Sequence, residues 1–173
     1  MKKGILLVMI AMLLFSGCAG QKHKQAETSQ VDTEMAAAQE LVDQAMALSI
    51  VDDAYLTPSG ALTNAIVKAV QVQVVEAETD RCRVRITYPD VKTTFLEMLD
   101  ELPENLEQHD VDTFYDQLRE KVTGGKLPVL ETSLDLAIMT NSAGEAYIEW
   151  TPQAQNAMTG GLYEAFYEEA DGA

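Results

Sequence analysis

The chain has little positive charge. It carries 12 Lys and Arg residues against 28 Asp and Glu residues, which gives a formal net charge of −16. This composition argues against nucleic acid as a partner, because binding to phosphates needs Lys and Arg side chains. It also argues against a domain that lies flat on an anionic membrane. An acidic surface either keeps the chain soluble by self-repulsion or attracts a basic partner, and the sequence leaves both open.

Cysteine and histidine are also scarce, with two of each: Cys18, Cys82, His23 and His109. Neither histidine has a second ligand nearby at helical or strand spacing, so no metal site is expected. With Cys82 as the one cysteine after Cys18, no disulfide can form within the domain, and Cys82 is expected to be buried and unreactive. The chain contains no HExxH, GxSxG or Gly-rich phosphate loop. No catalytic residue and no cofactor is therefore assigned.

No apolar run in the sequence is long enough to span a bilayer. Residues 5–15 are apolar, but a membrane-spanning helix needs about 20 such residues. The run follows Lys2 and Lys3 and precedes the small residues Ser16 and Gly17. This pattern is typical of a secretory signal peptide, which has a basic start, a short apolar stretch and small residues before its cleavage site.

Residues 14–18, Leu-Phe-Ser-Gly-Cys, resemble the lipobox of bacterial lipoproteins, with Phe15 where leucine is usual. In that family the cysteine thiol receives a diacylglycerol, and the signal is cut before the cysteine. The new amino terminus is often acylated, for example with palmitate. The resemblance implies a signal peptide over residues 1–17 and a protein exported and anchored by lipidated Cys18 to the cell membrane or an outer membrane. The alternative is an ordinary signal peptide followed by an incidental cysteine.

The composition changes after Cys18. Residues 18–31 are rich in Gln, Lys, Thr and Ser and have almost no large apolar side chains, which predicts a flexible tether. Residues 32–173 have a length that suits a single domain with one hydrophobic core. We expect this domain to fold without a metal, a cofactor or a disulfide.

Helical spacing of apolar residues marks the start of the predicted domain. The pattern predicts a helix from Asp32, its expected N-cap, to Leu48. Residues 52–60 contain proline and glycine and are predicted to form a loop, with a short helical turn over residues 61–66.

The clearest strand pattern is a hairpin. Valine alternates with glutamine in its first half, and apolar residues alternate with arginine in its second half. A slip of one residue would turn the apolar side chains of one strand away from the core, so the pattern predicts the register. The predicted pairs are Val74 with Val84, Val72 with Ile86 and Val70 with Tyr88, around a turn at residues 78–80.

Two helices, a second hairpin and a last helix follow. The predicted elements are a helix from Asp90 to Leu102, a helix from Asp110 to Val122, strands over residues 130–138 and 146–150, and a helix from Thr151 through Phe166. Gly160 and Gly161 interrupt the last helix, and we expect them to let it pack closely. The order of elements predicts an α+β fold with an antiparallel sheet of about four strands packed against helices.

The second half of the chain resembles a group of bacterial lipoproteins with a nuclear transport factor 2-like, or cystatin-like, α+β domain. The resemblance rests on the order of elements over residues 34–168, the motif Tyr88-Pro89-Asp90 and residues 141–150. It implies a curved antiparallel sheet around a cavity, which in some members binds small molecules or catalyses isomerisation. No catalytic residue of those enzymes matches a residue of this chain.

Arg81, Arg83 and Arg85 form a basic row on one face of the first predicted hairpin, which is unusual in so acidic a chain. One interpretation is a clamp for an anion or a carboxylate. The other, which we favour, is pairing with neighbours such as Gln73 and Glu149.

The sequence favours a membrane-anchored envelope lipoprotein that acts as a non-catalytic binding or interaction module. Its ligand would be a small molecule, a peptide or an envelope protein. The alternatives are an enzyme with an active site in the cavity of the curved sheet and a structural envelope component. The expected ligand contacts are aromatic residues, which combine apolar faces with hydroxyl or indole donors: Tyr88, Phe95, Tyr115 and Trp150. The same residues would serve equally well in the core.

Overall fold

A computed structural model describes residues 23–50, 57–103 and 105–165. The chain divides into two compact units, residues 1–30 and 31–173. The predicted signal peptide, Cys18 and Phe166 lie outside the described residues. Among the helices of the described part, none combines the length and the apolar character needed to cross a membrane.

Helices and strands follow one another along the chain in the predicted order. The elements are α1 (His23–Leu48), α2 (Pro58–Ala69), β1 (Gln71–Ala77), β2 (Arg81–Pro89), α3 (Val91–Leu99), α4 (Gln108–Thr123), β3 (Val129–Thr140), β4 (Ala146–Glu149) and α5 (Pro152–Met158). Within the described residues, the strands form one open antiparallel sheet of four strands in the order β1-β2-β3-β4. The predicted α+β class and its antiparallel sheet are confirmed.

The register of the first hairpin is confirmed for two of its predicted pairs. The observed pairs include Val72 with Ile86 and Val74 with Val84, and residues 78–80 form the turn. The register then shifts between Val74 and Glu76, which makes Val75 a β-bulge. The bulge places Glu76 opposite Arg83, on the exposed face of the sheet.

The hydrophobic core lies between the helices and one face of the sheet. Its fully buried side chains come from α1 to α5, β2 and β3, and the largest include Val42, Leu62, Ile66, Val84, Ile86, Val91, Leu118 and Leu136. Burial of each such side chain stabilises the fold by about 1.5–3 kcal/mol relative to exposure. The opposite face of the sheet carries the exposed arginines of β2.

The first helix begins earlier than the sequence predicts. α1 starts at His23, inside the stretch 18–31 that was predicted to be a flexible tether, and Asp32 lies within the helix rather than at its N-cap. The Ala, Glu, Gln and Lys residues of this stretch have high helix propensity although they offer little apolar surface for a core. The prediction of a tether over residues 23–31 is therefore corrected to a helix.

The second helix also begins earlier. Pro58, predicted to lie in a loop, is the first residue of α2. The Thr57 side chain accepts a hydrogen bond from the Gly60 N–H at 3.2 Å, as an N-cap does, and proline suits the first helical turn. The rest of the predicted loop, residues 52–56, lies outside the described residues.

Gly160 and Gly161 interrupt the last predicted helix, as expected, and residues 162–165 are helical again after them. α5 stops at Met158, because Gly160 and Gly161 have φ angles of +64° and +86°, left-handed values that end a helix. The chain at Gly160 does pack closely on another element, as expected, and that element is the start of α3. The Gly160 carbonyl accepts hydrogen bonds from the N–H groups of Val91 (3.0 Å) and Lys92 (2.9 Å), two of the groups that a helix start leaves without partners.

The outer edge of β1 is capped by a side chain of α1. The amide oxygen of Gln39 accepts a hydrogen bond from the Val74 N–H at 2.8 Å, and its nitrogen donates to the Val72 carbonyl at 3.1 Å. An added strand would bind these same backbone groups, so Gln39 protects the edge of the sheet.

Replacing Gln39 with alanine is expected to lower the free energy of unfolding by about 1–2 kcal/mol, because two backbone groups lose their partners. Gln44→Ala is the matched control: Gln44 lies on the same helix, and among the described residues its amide hydrogen-bonds only to the exposed Glu40, at 3.3 Å. The control should change stability by less than about 0.5 kcal/mol. Urea denaturation of both variants measures the difference, and equal losses would contradict the capping role.

Candidate functional site

The aromatic residues predicted to contact a ligand all pack against the hydrophobic core. Tyr88 at the end of β2, Tyr115 in α4 and Trp150 after β4 are half-buried, whereas Phe95 in α3 is 7% exposed. Phe114 lies between two of them. Its ring meets Phe95 edge to face at 5.3 Å between centroids and meets Tyr115 in the same way at 5.6 Å.

The structure does not bring all four residues to one place. Trp150 follows Glu149, which pairs with Ala137 of β3, whereas Tyr88 pairs with Leu130 at the other end of β3. These two positions on β3 are separated by about 23 Å along the extended strand. Tyr88 and Trp150 therefore belong to opposite ends of the sheet, and the ligand-binding role of the four residues stays a prediction.

The surroundings of Tyr88 make its hydroxyl harder to ionise. Burial raises the pKa of Tyr88, and the negative charges of Asp90 and Glu164 add to the shift. Asp90 itself caps α3: its carboxylate accepts hydrogen bonds from the backbone N–H of Thr93 at 3.1 Å and from the Thr93 hydroxyl at 2.8 Å. At neutral pH this end of the sheet thus presents a neutral phenol beside a carboxylate that stabilises a helix.

The arginine row on the exposed face of the sheet is paired with carboxylates. The pairs are Arg81 with Glu78 (2.8 Å), Arg83 with Asp135 (2.9 Å) and Glu76 (3.4 Å), and Arg85 with Glu131 (3.5 Å). The pairing interpretation is confirmed, but with other partners than predicted. Gln73 does lie opposite Arg85, whereas Glu149 lies opposite Ala137 on a different strand pair.

Two of these pairs, Arg81 with Glu78 and Arg83 with Asp135, shift the pKa values of their members. Hydrogen bonds from Arg81 and Arg83 lower the pKa of Glu78 and of Asp135, respectively, and the same bonds raise the pKa of both arginines. All four side chains are exposed, so each pair contributes little to stability. An anion that approached the row would have to compete with carboxylates already in place.

A surface cavity of about 660 Å³ lies between α2 and α4. Its wall on α2 includes Ala61, Ala65 and Ala69, which are four residues apart and therefore share one face of the helix. On α4, Arg119 pairs with Asp116 at 3.0 Å beside the cavity. The spacing of the alanines is visible in the sequence, but the cavity depends on how the two helices pack.

Cys82 is buried, as predicted, with 2% of its surface exposed. Burial raises the pKa of its thiol, and the nearby charge of Asp135 raises it further. A protonated, buried thiol is a weak nucleophile. Among the residues that the structure describes, no cluster of three or more His, Cys, Asp and Glu side chains could hold a metal ion.

Comparisons with known proteins place the chain in no family. No protein-family model matches it, and no curated protein matches it. A similar solved structure is that of a "putative lipoprotein" (ycdA) of Bacillus subtilis, with 13% sequence identity and a TM-score of 0.34. The alignment covers 92% of this chain and 54% of the Bacillus chain, so this chain spans about half the length of that protein. The resemblance to nuclear transport factor 2-like domains is not confirmed.

Proposed function

We propose that this chain is an envelope lipoprotein anchored to a membrane by lipidated Cys18, and that its α+β domain is a non-catalytic interaction module. The observation that carries the proposal is the sequence Leu-Phe-Ser-Gly-Cys directly after a basic start and a short apolar run. The thiol of Cys18 is the attachment point for the diacylglycerol, and a second acyl chain on its amino group would make the anchor durable.

The arrangement of the domain supports a binding role. Helices cover one face of the sheet, and the other face, with its paired arginines, is open to solvent. Within the described residues, every buried side-chain nitrogen or oxygen atom has a hydrogen-bond partner. These buried polar groups therefore stabilise the fold. The proposed partner of the open surfaces is a small molecule, a peptide or an envelope protein.

Replacing Cys18 with alanine is expected to move most of the protein out of the lipid-bound fraction, because the acceptor of the lipid is lost. Phase separation in a mild detergent measures this directly, since acylated proteins enter the detergent-rich phase. Cys82→Ala is the matched control, and it should partition like the wild type because Cys82 is buried in the domain. Equal partitioning of Cys18→Ala and the wild type into the detergent phase would show that the anchoring proposal is wrong.

A further inference from the structure

β3 is much longer than β4, and part of its edge has no partner strand. β3 spans Val129–Thr140, but β4 pairs only with Ala137–Thr140. On its other side, β3 pairs with β2 from Val129 to Ala137. Within the described ranges 23–50, 57–103 and 105–165, no strand lies against residues 129–136 on the side away from β2. We call residues 129–136 the open edge.

The hydrogen bonds between β2 and β3 show which backbone groups face the open edge. The N–H of Ile138 donates to the Asp80 carbonyl at 2.8 Å, and the N–H of Asp90 donates to the Pro128 carbonyl at 2.8 Å. Even-numbered residues of β3 therefore bond to β2. In an antiparallel pair the residues between them direct their N–H and C=O groups to the other side. The residues whose backbone groups face the open edge are Val129, Glu131, Ser133 and Asp135.

The two edges of the sheet differ in their protection. The Gln39 amide occupies two outward backbone groups of β1, the Val72 carbonyl and the Val74 N–H, whereas among the described residues no side chain caps those of the open edge. Two large apolar side chains there are also exposed, Val129 by 68% and Leu130 by 41%. Natural sheets usually cover or interrupt such an edge, because it is a template for another strand.

We propose that the open edge pairs antiparallel with the open edge of a second copy of this chain, so that two four-stranded sheets become one continuous sheet. The two-fold axis passes beside Thr132. In this register Leu130 lies opposite Leu134 of the partner subunit, and Thr132 lies opposite Thr132 of the partner subunit. Apolar and Thr–Thr pairs of this kind stabilise antiparallel sheets.

The acidic residues select this register over its neighbours. With the axis at Thr132, Glu131 faces Ser133 of the partner subunit and Asp135 faces Val129 of the partner subunit. If the two-fold axis passed beside Glu131, Glu131 would lie opposite Glu131 of the partner subunit. If the axis passed beside Ser133, Glu131 would face Asp135 of the partner subunit. Like charges directly opposite each other destabilise a sheet.

Charge also favours a second copy over a basic peptide as the occupant. At the open edge, Glu131 and Asp135 are already paired with Arg85 and Arg83, so the edge has little net charge to attract a cation. The remaining acidic surface repels a second copy at long range. Salt screens this repulsion beyond about 8 Å at physiological ionic strength. The dimer should therefore become tighter as salt rises, whereas binding of a basic peptide would become weaker.

The first test uses a cysteine at the two-fold axis of the full-length protein. Residues in a non-hydrogen-bonded antiparallel pair have Cα atoms about 4.5 Å apart, within the range that a disulfide spans. Mild oxidation of Thr132→Cys should therefore give a covalent dimer as the main product. Thr140→Cys is the matched control, since Thr140 is exposed on the same strand but pairs with Ala146, and it should form no covalent dimer. No dimer, equal dimer in both variants, or a disulfide from Thr132→Cys to a different protein would overturn the proposal.

The second test removes one hydrogen-bond donor from the open edge. Ser133→Pro deletes an N–H that faces away from β2, so the β2–β3 hydrogen bonds remain, and proline is tolerated at such edge positions. By symmetry each dimer loses two hydrogen bonds, which should weaken association roughly ten- to hundredfold. Sedimentation equilibrium at several salt concentrations measures this, with Ser133→Ala as the control that keeps the N–H. Equal association of the two variants, or a monomeric wild type throughout, would overturn the proposal. The inference does not depend on the lipid anchor.

Discussion

Replacing Gly160 with alanine is expected to lower the free energy of unfolding by about 3 kcal/mol, from two causes that add. Gly160 has a φ of +64°, and a left-handed conformation costs a residue with a side chain about 1–2 kcal/mol. A Cβ atom at this position would lie 2.5 Å from Cγ2 of Val91 and 2.9 Å from the Pro89 carbonyl oxygen. Relief of such overpacking costs about 1–3 kcal/mol more.

Gly125→Ala separates the two causes. Gly125 has nearly the same φ, +61°, but no atom lies within 4 Å of the position its Cβ would take. This control should lose only the backbone part, about 1–2 kcal/mol. Denaturation followed by the fluorescence of Trp150, the chain's one tryptophan, reports both variants. Equal losses would contradict the close packing of Gly160 on the start of α3.

Replacing Phe114 with alanine is expected to cost about 3–5 kcal/mol, the usual range for a buried phenylalanine. Phe114 is 5% exposed and joins Phe95 and Tyr115 through edge-to-face contacts. Tyr147→Ala is the control: Tyr147 is 46% exposed on the outer face of β4, and its loss should cost less than about 1 kcal/mol.

A double-mutant cycle then tests whether this aromatic cluster is structural. The Phe95→Ala and Phe114→Ala changes should be coupled by about 0.5–1.5 kcal/mol, because each ring loses its partner in the other variant. Thermal unfolding of the single and double variants gives the coupling. Strictly additive losses, or a cost for Phe114→Ala no larger than for Tyr147→Ala, would argue against a packed cluster at Phe95.

Local patterns in the sequence predicted most of the sheet. Alternation of apolar residues placed Val72 opposite Ile86 and Val74 opposite Val84, because only one register puts both apolar sets on the core face. The bulge at Val75 breaks that alternation. The early start of α1 does not follow from the apolar pattern, because residues 23–31 have few apolar side chains although they favour helix.

The site was harder to predict because it depends on contacts between distant elements. Pairing of the arginines was predicted, but its carboxylate partners on β3 and in the hairpin depend on strand order and on the bulge. The distance between Tyr88 and Trp150 follows from the β2–β3–β4 register. The positions of the aromatic residues in the sequence do not reveal this register. The sequence does indicate the open edge, because the predicted third strand is longer than the predicted fourth strand and cannot be fully covered by it.

The lipid anchor at Cys18 is the central claim, and mass spectrometry of the mature amino terminus tests it most directly. The protein would be extracted from membranes with detergent and digested, and the first peptide would be sequenced. We predict that this peptide begins at Cys18 and carries a diacylglycerol on its sulfur, while the peptide that contains Cys82 carries no lipid. A mature chain that begins elsewhere, or a Cys18 with an unmodified thiol, would contradict the account.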